Sequence, residues 1–425
     1  MIDMRLLVLP AYKMGLYLVT ILLGISLNNE LHAQTRVLFV GNSYTTANNL
    51  PQLFSDLSSS LGDSVITAIN TPGGYTLQMH SGDASTLSLI QSQPWDYVVL
   101  QEQSQRPSFP QSQVAVEVYP YATQLDSLIR LNNTCTETVF YMTWGRKYGD
   151  VSNCAIWPPV CTFSGMQHQL RQSYLQMADD NNALVAPCGM AWQQSWNADS
   201  SINLWVNDNS HPSVEGSYLN ACVFYATVFR KSPVGATYTA GLQPQTANHL
   251  QQVAHQTVFD SLATWNIGAF DPLASFSVMV NSLTTQFTFT GTNCSSYNWD
   301  FGDGQTASSP SPQHIYSQPG IYTVSLIAGD GCTEDTATQT LNLGATGISP
   351  VVKNDCIEQR GDAFHFKCKV REVLVYTADG RLVESGHPPT GTDSFTVRNL
   401  SPAGVILVFT LDDGRQIVRK IGFIR

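Results

Sequence analysis

Three residues capable of acyl chemistry stand where an α/β sheet would use them. Near the start of the 425-residue chain, the apolar run Val37-Leu38-Phe39-Val40 leads into Gly41-Asn42-Ser43-Tyr44-Thr45. The run predicts a buried strand, and an amphipathic segment follows from about Asn49 to Leu61. A small polar turn between strand and helix is where backbone N–H groups can stabilise an anion, so Ser43 is the candidate nucleophile. A serine needs a base, and the base needs an orienting acid. Asp208-Asn209-Ser210-His211-Pro212-Ser213 offers both within one loop. His211 Nδ1 is expected to donate to Asp208, leaving Nε2 to take the proton of Ser43. His80, His168, His249 and His255 lack such a local context.

Stepping outward, the elements that must position these groups alternate between strand and helix. Further strands are expected at Val65–Ile69, Trp95–Leu100, Thr138–Trp144 and Ala183–Pro187. Helical periodicity runs from about Ala115 to Leu131, Gly165 to Asn181 and Glu215 to Phe229. This alternation predicts a parallel sheet covered on both faces, with ligands bound beyond the carboxyl ends of its strands. The Gly-Asn-Ser turn, the loop Thr71-Pro72-Gly73-Gly74-Tyr75-Thr76 and the loop Gln101-Glu102-Gln103-Ser104-Gln105-Arg106 all fall at those ends. Tyr75, Trp144, Tyr148 and Trp157 are aromatics in loops bordering such a site, and Arg106 and Arg146 are cations available to an anionic substrate.

Only 12% of residues are charged, and Lys+Arg 21 against Asp+Glu 32 leaves a net charge of −11. That balance argues against nucleic-acid binding, which wants a basic face. Arg5 and Lys13 precede an apolar run from Met14 to Leu27, and Leu31-His32-Ala33 follows. This is the order of a signal peptide over 1–33 with cleavage after Ala33, and no later segment reads as a membrane span. An exported chain meets an oxidising compartment. The spacing of the nine cysteines suggests the pairs Cys154–Cys161, Cys356–Cys368 and Cys294–Cys332, leaving Cys135, Cys188 and Cys222 with at least one free thiol. No spacing suggests zinc.

Taken together, Gly41-Asn42-Ser43, the glycine loop after the second strand, the polar loop after the third and Asp208-x-x-His211-Pro212 resemble the SGNH (GDSL-type) hydrolases. The resemblance covers roughly 36–230, with the segment to about 265 as a closing helix, and implies a flavodoxin-like α/β fold. It also implies a serine esterase without cofactor in which Ser43 attacks an ester carbonyl, His211 is the base and Asp208 orients it. The oxyanion would be held by the Ser43 N–H, by Gly73 or Gly74, and by a side-chain amide of the third loop. Two departures stand out. Asn42 replaces the usual aspartate before the serine, and Gln101-Glu102-Gln103-Ser104 replaces the Gly-x-Asn-Asp of the third block. The latter is similar to the Gln-Gly-Glu-Ser block of the sialate-acetylesterase-like branch, which favours Gln101 as the amide donor, with Gln103 second. The family's usual substrates imply small acyl esters, often acetyl groups on carbohydrate. A surface glycan-binding or adhesion protein with a degenerate hydrolase domain is the alternative, supported by the altered third block.

From Asp271-Pro272 the texture changes to short Thr/Ser/Phe/Val-rich strands at Ala274–Val280, Gln286–Gly291, Gly320–Ala328 and Ala337–Leu343, the pattern of a β-sandwich. Trp299-Asp300-Phe301-Gly302-Asp303-Gly304 and Pro319-Gly320-Ile321-Tyr322-Thr323-Val324 make 271–344 resemble a PKD domain, a spacer or contact module. Trp299 and Phe301 are expected to pack inward, and Asp300 and Asp303 to make turn hydrogen bonds. Over 346–425, apolar/polar alternation with Asp379-Gly380 and Asp413-Gly414 turns predicts hairpins in a second small β-sandwich. Val373–Val383, Leu400-Ser401-Pro402-Ala403-Gly404 and Val418-Arg419-Lys420-Ile421 resemble the type A C-terminal sorting domain of the type IX secretion system. That implies a secreted or cell-surface protein of Bacteroidota type, with the type IX machinery as a partner.

Overall fold

A computed structural model describes residues 34–344 and, beyond them, only strands lying between 357 and 421. The expected signal segment, the Cys356–Cys368 pair and the turns at Asp379-Gly380 and Asp413-Gly414 lie outside the described residues. The chain divides into two units, one of residues 1–272 with 329–334, the other of 273–328 with 335–425.

In the first unit the chain order is β1 (Thr35–Val40), α1 (Ser43–Thr46), α2 (Leu50–Ser60), β2 (Val65–Asn70), α3 (Leu77–Gly82), α4 (Ala84–Gln91) and β3 (Tyr97–Leu100). It continues with α5 (Gln111–Glu117), α6 (Tyr119–Asn132), β4 (Glu137–Tyr141), α7 (Phe163–Asn181), β5 (Leu184–Ala186), α8 (Cys188–Ala198), α9 (Val214–Phe229) and α10 (Pro244–Phe259). The five strands lie in the order β2-β1-β3-β4-β5, all parallel. This is the flavodoxin-like order, whose direction of winding reverses between β1 and β3 and leaves a crevice at their carboxyl ends. Val37 to Val40, Val98 to Leu100 and Val139 to Tyr141 are almost wholly buried, as strands covered on both faces must be. The ladder continues past β1, where the Gly41 N–H donates to the Asn70 carbonyl at 3.1 Å and the Gln101 N–H to the Val40 carbonyl at 2.9 Å. The loops after β1, β2 and β3 therefore leave the sheet side by side.

Some elements differ from the sequence expectation. The helix expected over 115–131 is two, α5 and α6, broken at Val118 (φ −125°, ψ −58°). Pro120, in the first turn of α6, supplies no N–H to continue α5 and suits a helix start instead. The strand expected to reach Trp144 ends at Tyr141, and the short helices α3, α4 and α8 carry too few periodic residues to stand out in the sequence. Among the described residues no helix is long and apolar enough to cross a membrane.

In the second unit, β6 (Phe276–Asn281), β7 (Thr284–Phe289) and β10 (Gln313–Ile315) form one sheet. β8 (Ser296–Asp300), β9 (Thr306–Ala307), β11 (Gly320–Gly329) and β12 (Glu334–Leu343) form another. Phe287, Trp299, Phe301, Tyr316, Val324 and Leu326 share the core of this sandwich, so Trp299 and Phe301 point inward as expected. The aspartates cap the turn: Asp300 Oδ1 accepts the Gly302 N–H at 2.8 Å and Asp303 Oδ1 the Gln305 N–H at 3.0 Å. Gly302 sits at φ +77°, where a Cβ would meet the Thr323 carbonyl oxygen at 2.5 Å, so glycine is required there. Further on, β13 (Ile357–Arg360), β14 (Ala363–Phe366) and β17 (Ser394–Thr396) pair antiparallel. So do β15 (Val370–Thr377), β16 (Leu382–Gly386), β18 (Val405–Leu411) and β19 (Gln416–Ile421).

The cysteine expectation needs one correction. Cys154–Cys161 forms, but Cys332 pairs with Cys135, not with Cys294. The turn 329–334 that carries Cys332 groups with the first unit, which proximity in sequence did not reveal. Cys188 and Cys222 are buried free thiols.

Candidate active site

The serine turn is shaped by its neighbours. Asn42 (φ −142°, ψ −154°) caps α1, its Oδ1 accepting the Tyr44 N–H at 3.2 Å. Ser43 is the first residue of that helical turn, so its own N–H has no intrahelical acceptor. A Cβ at Gly41 would meet Gln101 Oε1 at 2.6 Å and Thr45 Oγ1 at 2.8 Å, so any other residue there would push the Gln101 amide off its partners.

Across the crevice, Ser43 Oγ lies 2.8 Å from His211 Nε2, and His211 Nδ1 lies 2.6 Å from Asp208 Oδ2. With Nδ1–H donating to the carboxylate, Nε2 is left to accept from the serine hydroxyl. The loop that holds the pair folds on itself: Asn209 takes the left-handed conformation (φ +59°), and Asp208 Oδ1 accepts the N–H groups of Ser210 and His211 at 2.9 Å each. Burial alone would raise the Asp208 carboxyl, but these N–H groups and the imidazole outweigh it and hold it below the usual carboxylate range. Behind the pair, the Tyr44 ring stacks on Trp144 at 4.7 Å and Trp144 on Trp192 at 3.8 Å. Tyr44 also meets the His211 ring edge-on at 5.1 Å and shares a 2.6 Å hydrogen bond with Ser210 Oγ, while Trp144 Nε1–H donates to the Ser210 carbonyl. Each such ring pair is worth about 0.5–1.5 kcal/mol beyond its buried area. Trp144 thus belongs to the wall behind the histidine loop, fully buried, whereas Tyr148 is exposed. Trp157 donates to the Ser108 carbonyl at 3.0 Å.

The two glutamines of the third loop spend their amides differently. Gln101 is fully buried and all its hydrogen-bonding capacity is spent inside. Its Oε1 accepts the Asn42 N–H and the Thr45 hydroxyl at 2.9 Å each, and its Nε2 donates to Asn42 Oδ1 at 2.9 Å and the Glu102 carbonyl at 2.6 Å. Both amide protons are occupied inside the protein, and Gln101 braces the turn that carries Ser43. Gln103 is placed differently. Its Oε1 accepts the N–H groups of Gln105 at 2.8 Å and Arg106 at 3.3 Å. That fixes the amide with Nε2 making only long contacts, to Ser104 Oγ at 3.4 Å and Gln105 Oε1 at 3.3 Å.

A cavity of about 290 Å³ opens at this point, lined by Ser43, His211, Gly74, Gln103, Arg146 and Ser210 among others. Gly74, at φ +74°, lines it, and Gly73 does not. Arg146 faces the cavity with its guanidinium paired to the buried Asp150 at 3.3 Å, while Arg106 lies 3.8 Å from Glu117.

Two supporting residues, His80 and Glu102, and one link of Asn42 carried no signal in the sequence. Asn42 Nδ2 donates to the Tyr75 carbonyl at 2.9 Å, tying the serine turn to the glycine loop, which an aspartate cannot do. His80 is fully buried, its Nε2–H donating to the Gly41 carbonyl at 2.8 Å and its Nδ1 2.8 Å from Thr86 Oγ1. Burial outweighs its hydrogen bond to Gly41 and the charge of Asp83, lowering its pKa and keeping the ring neutral. Glu102, also fully buried, accepts the Gln103 N–H at 2.5 Å and the Leu77 N–H at 3.1 Å.

Residues 276–344 match the PKD domain family, and this segment is a PKD domain. Among curated proteins, a microbial collagenase from Vibrio alginolyticus is 43% identical over 63 residues, 14% of this chain and 8% of the collagenase. The chain matches between 5% and 12% of the length of such relatives. Among solved structures, a DUF4886 family protein from Bacteroides uniformis is 16% identical with a TM-score of 0.46, over 53% of this chain and 95% of that one. A protein from Slackia heliotrinireducens assigned as an SGNH hydrolase is 28% identical with a TM-score of 0.37, over 45% of this chain and 97% of that one.

Proposed function

We propose that this chain is an exported serine hydrolase of short acyl esters, with acylated carbohydrate as the substrate class. The observation that carries the proposal is the unbroken line from Ser43 Oγ to His211 (2.8 Å) to Asp208 (2.6 Å) at the edge of a cavity. Ser43 Oγ attacks the ester carbonyl carbon while its proton passes to His211 Nε2, and Asp208 stabilises the imidazolium. The tetrahedral oxyanion takes hydrogen bonds from the Ser43 N–H, the Gly74 N–H and Gln103 Nε2. Collapse breaks the ester C–O bond, and the departing alcohol takes the proton from His211. Water, deprotonated by His211, then attacks the acyl-serine, releasing the carboxylic acid and restoring Ser43.

A small cavity edged by Gln103, Ser104, Arg146 and Ser210 suits a short acyl group on a polar alcohol better than a long chain. Two disulfides in the described residues support an oxidising destination. The PKD domain then serves as spacer or contact module, and the C-terminal segment as the signal to the type IX machinery. Against the alternative of an adhesion protein with a degenerate hydrolase domain, the reading is supported by Gln103, which lines the cavity and whose Nε2 makes only long contacts. The test is hydrolysis of a short aryl acetate by the wild type and by Ser43→Ala. Turnover abolished in the variant supports the proposal; equal rates, or none in either protein, overturn it.

A further inference from the structure

We propose that Glu102 is the positioning residue of the oxyanion hole, its buried carboxylate fastening the loop that carries Gln103 to the loop that carries Gly74. This rests on the hydrolase reading of the site and extends it to a group that touches no substrate.

Its two oxygens take different partners. Oε1 accepts the Gln103 N–H at 2.5 Å, and Oε2 accepts the Leu77 N–H at 3.1 Å. Leu77 begins α3, directly after the glycine loop and its cap Thr76. Gln103 and Gly74 both line the cavity with Ser43. One carboxylate therefore sets the spacing of two loops that the sheet leaves joined by no ladder of their own. Only the ionised form accepts fully at both oxygens. A proton on either one weakens its acceptance and adds a buried donor that needs a partner of its own.

The surroundings put that change in the working range. Burial pushes the Glu102 carboxyl up to about 7, against the pull of the two N–H groups and of Arg106, with Glu117 adding to the rise. The Tyr174 hydroxyl, on α7, also senses its charge. The signs for activity and stability are opposite. Activity needs the carboxylate and rises with pH through about 7. The stability contributed by an acid whose pKa is raised on folding is full below its unfolded value and declines as pH rises through about 7.

The experiment has two readouts on the full chain. The first is the pH profile of kcat/KM for aryl acetate in wild type and Glu102→Gln, which holds the neutral state. In the wild type the acid limb should follow two protons, one on His211 and one on Glu102. In the variant it should follow one proton, below a plateau lowered about tenfold through kcat with KM little changed, since a misplaced donor costs less than the roughly 10²–10³ of an absent one. The second is hydrogen exchange of peptides covering 72–79 and 101–106, corrected for intrinsic rates. Opening either loop hydrates Glu102 and returns its carboxyl to the ordinary range, so protection should step down as pH rises to about 7 in the wild type, without that step in Glu102→Gln. A one-proton limb in the wild type, with activity that depends on Ser43, overturns the inference and leaves the hydrolase reading standing, whether or not the variant folds. An exchange step without any hydrolysis keeps the carboxylate bridge and overturns the hydrolase reading and the oxyanion role together. No exchange step overturns the bridge.

Discussion

Among the described residues two aspartate–histidine pairs meet within hydrogen-bonding distance, and they differ in what the rest of the ring faces. His211 and Asp208 meet at 2.6 Å with both side chains substantially exposed, and the far nitrogen of the ring lies 2.8 Å from Ser43 Oγ. His314 and Asp303 meet at 2.8 Å in the PKD domain, but the imidazole is 7% exposed, stacked on Phe301 at 4.0 Å and met edge-on by Tyr316 at 4.5 Å. Each carboxylate also accepts a backbone N–H of its own turn, so local geometry does not separate them. What differs is the second nitrogen. In one pair it faces the Ser43 hydroxyl and a cavity. In the other, Nε2 itself is spent on the aspartate, and the ring fills the sandwich beside Phe301. An Asp–His pair is a catalytic device when the far side of the ring is open, and a buried brace when it is not.

The comparison is broken most sharply at the serine. Ser43→Ala and His211→Ala should each lower aryl-acetate hydrolysis by about 10⁴-fold or more, and the double variant should lose little beyond that, because nucleophile and base act as a unit. His314→Ala should leave the same rate unchanged while lowering the stability of its domain by about 1–3 kcal/mol, read by thermal unfolding.

The orienting acid is next. Asp208→Asn, which removes the acceptor that fixes the tautomer, should lower kcat by about 10³–10⁴ with the fold intact by circular dichroism. The two glutamines of the third loop then separate donor from brace. Gln103→Ala should cost about 10²–10³ in kcat with little change in melting. Gln101→Ala should lower stability by about 2–4 kcal/mol, since it orphans the Asn42 N–H and other buried partners. Equal kinetic losses at both positions with equal melting would place the donor elsewhere.

The smallest effect is in the PKD brace. Burial works to raise the Asp303 carboxyl, yet the His314 side chain and the Gln305 N–H hold it below its ordinary value. A depressed carboxylate contributes stability above the unfolded carboxylate range, lost as pH falls through the lower folded value. Unfolding of this domain, followed by hydrogen exchange of peptides covering 296–316, should therefore show stability falling below about pH 4, with a shallower fall in Asp303→Asn. His211 lies in a different unit and should not influence this transition.

Much of this arrangement was legible in the residues. The apolar run into Gly-Asn-Ser, the strand–helix alternation and the Asp-x-x-His loop placed Ser43, His211 and Asp208 at one sheet edge. They did so because a parallel sheet must bring the ends of its strands together. The Trp-Asp-Phe-Gly-Asp-Gly motif likewise marked its sandwich, since its glycine, aspartates and inward aromatics are demanded by the turn itself. Periodicity failed where elements are short or interrupted: α3, α4 and α8 left no clear stripe, and Pro120 split one helical stretch into two.

What tertiary structure alone decided is how buried polar groups spend their hydrogen bonds. Gln101 and Gln103 are two positions apart and chemically identical, and the sequence ranked them in the order opposite to the one their surroundings support. Regular extended backbone would turn both to one face, so their different partners, Asn42 and Thr45 for one and the Gln105 and Arg106 N–H groups for the other, come from the packing of the loop. His80, Glu102 and the Asn42–Tyr75 link were silent for the same reason, as was the Cys135–Cys332 pair: their partners are distant in the chain. Spacing in sequence determines chemistry when nucleophile, base and acid lie in loops that the fold must gather. Whether a polar side chain serves the substrate or the scaffold is set by desolvation and by the donors left facing it, and those exist only once the chain is folded.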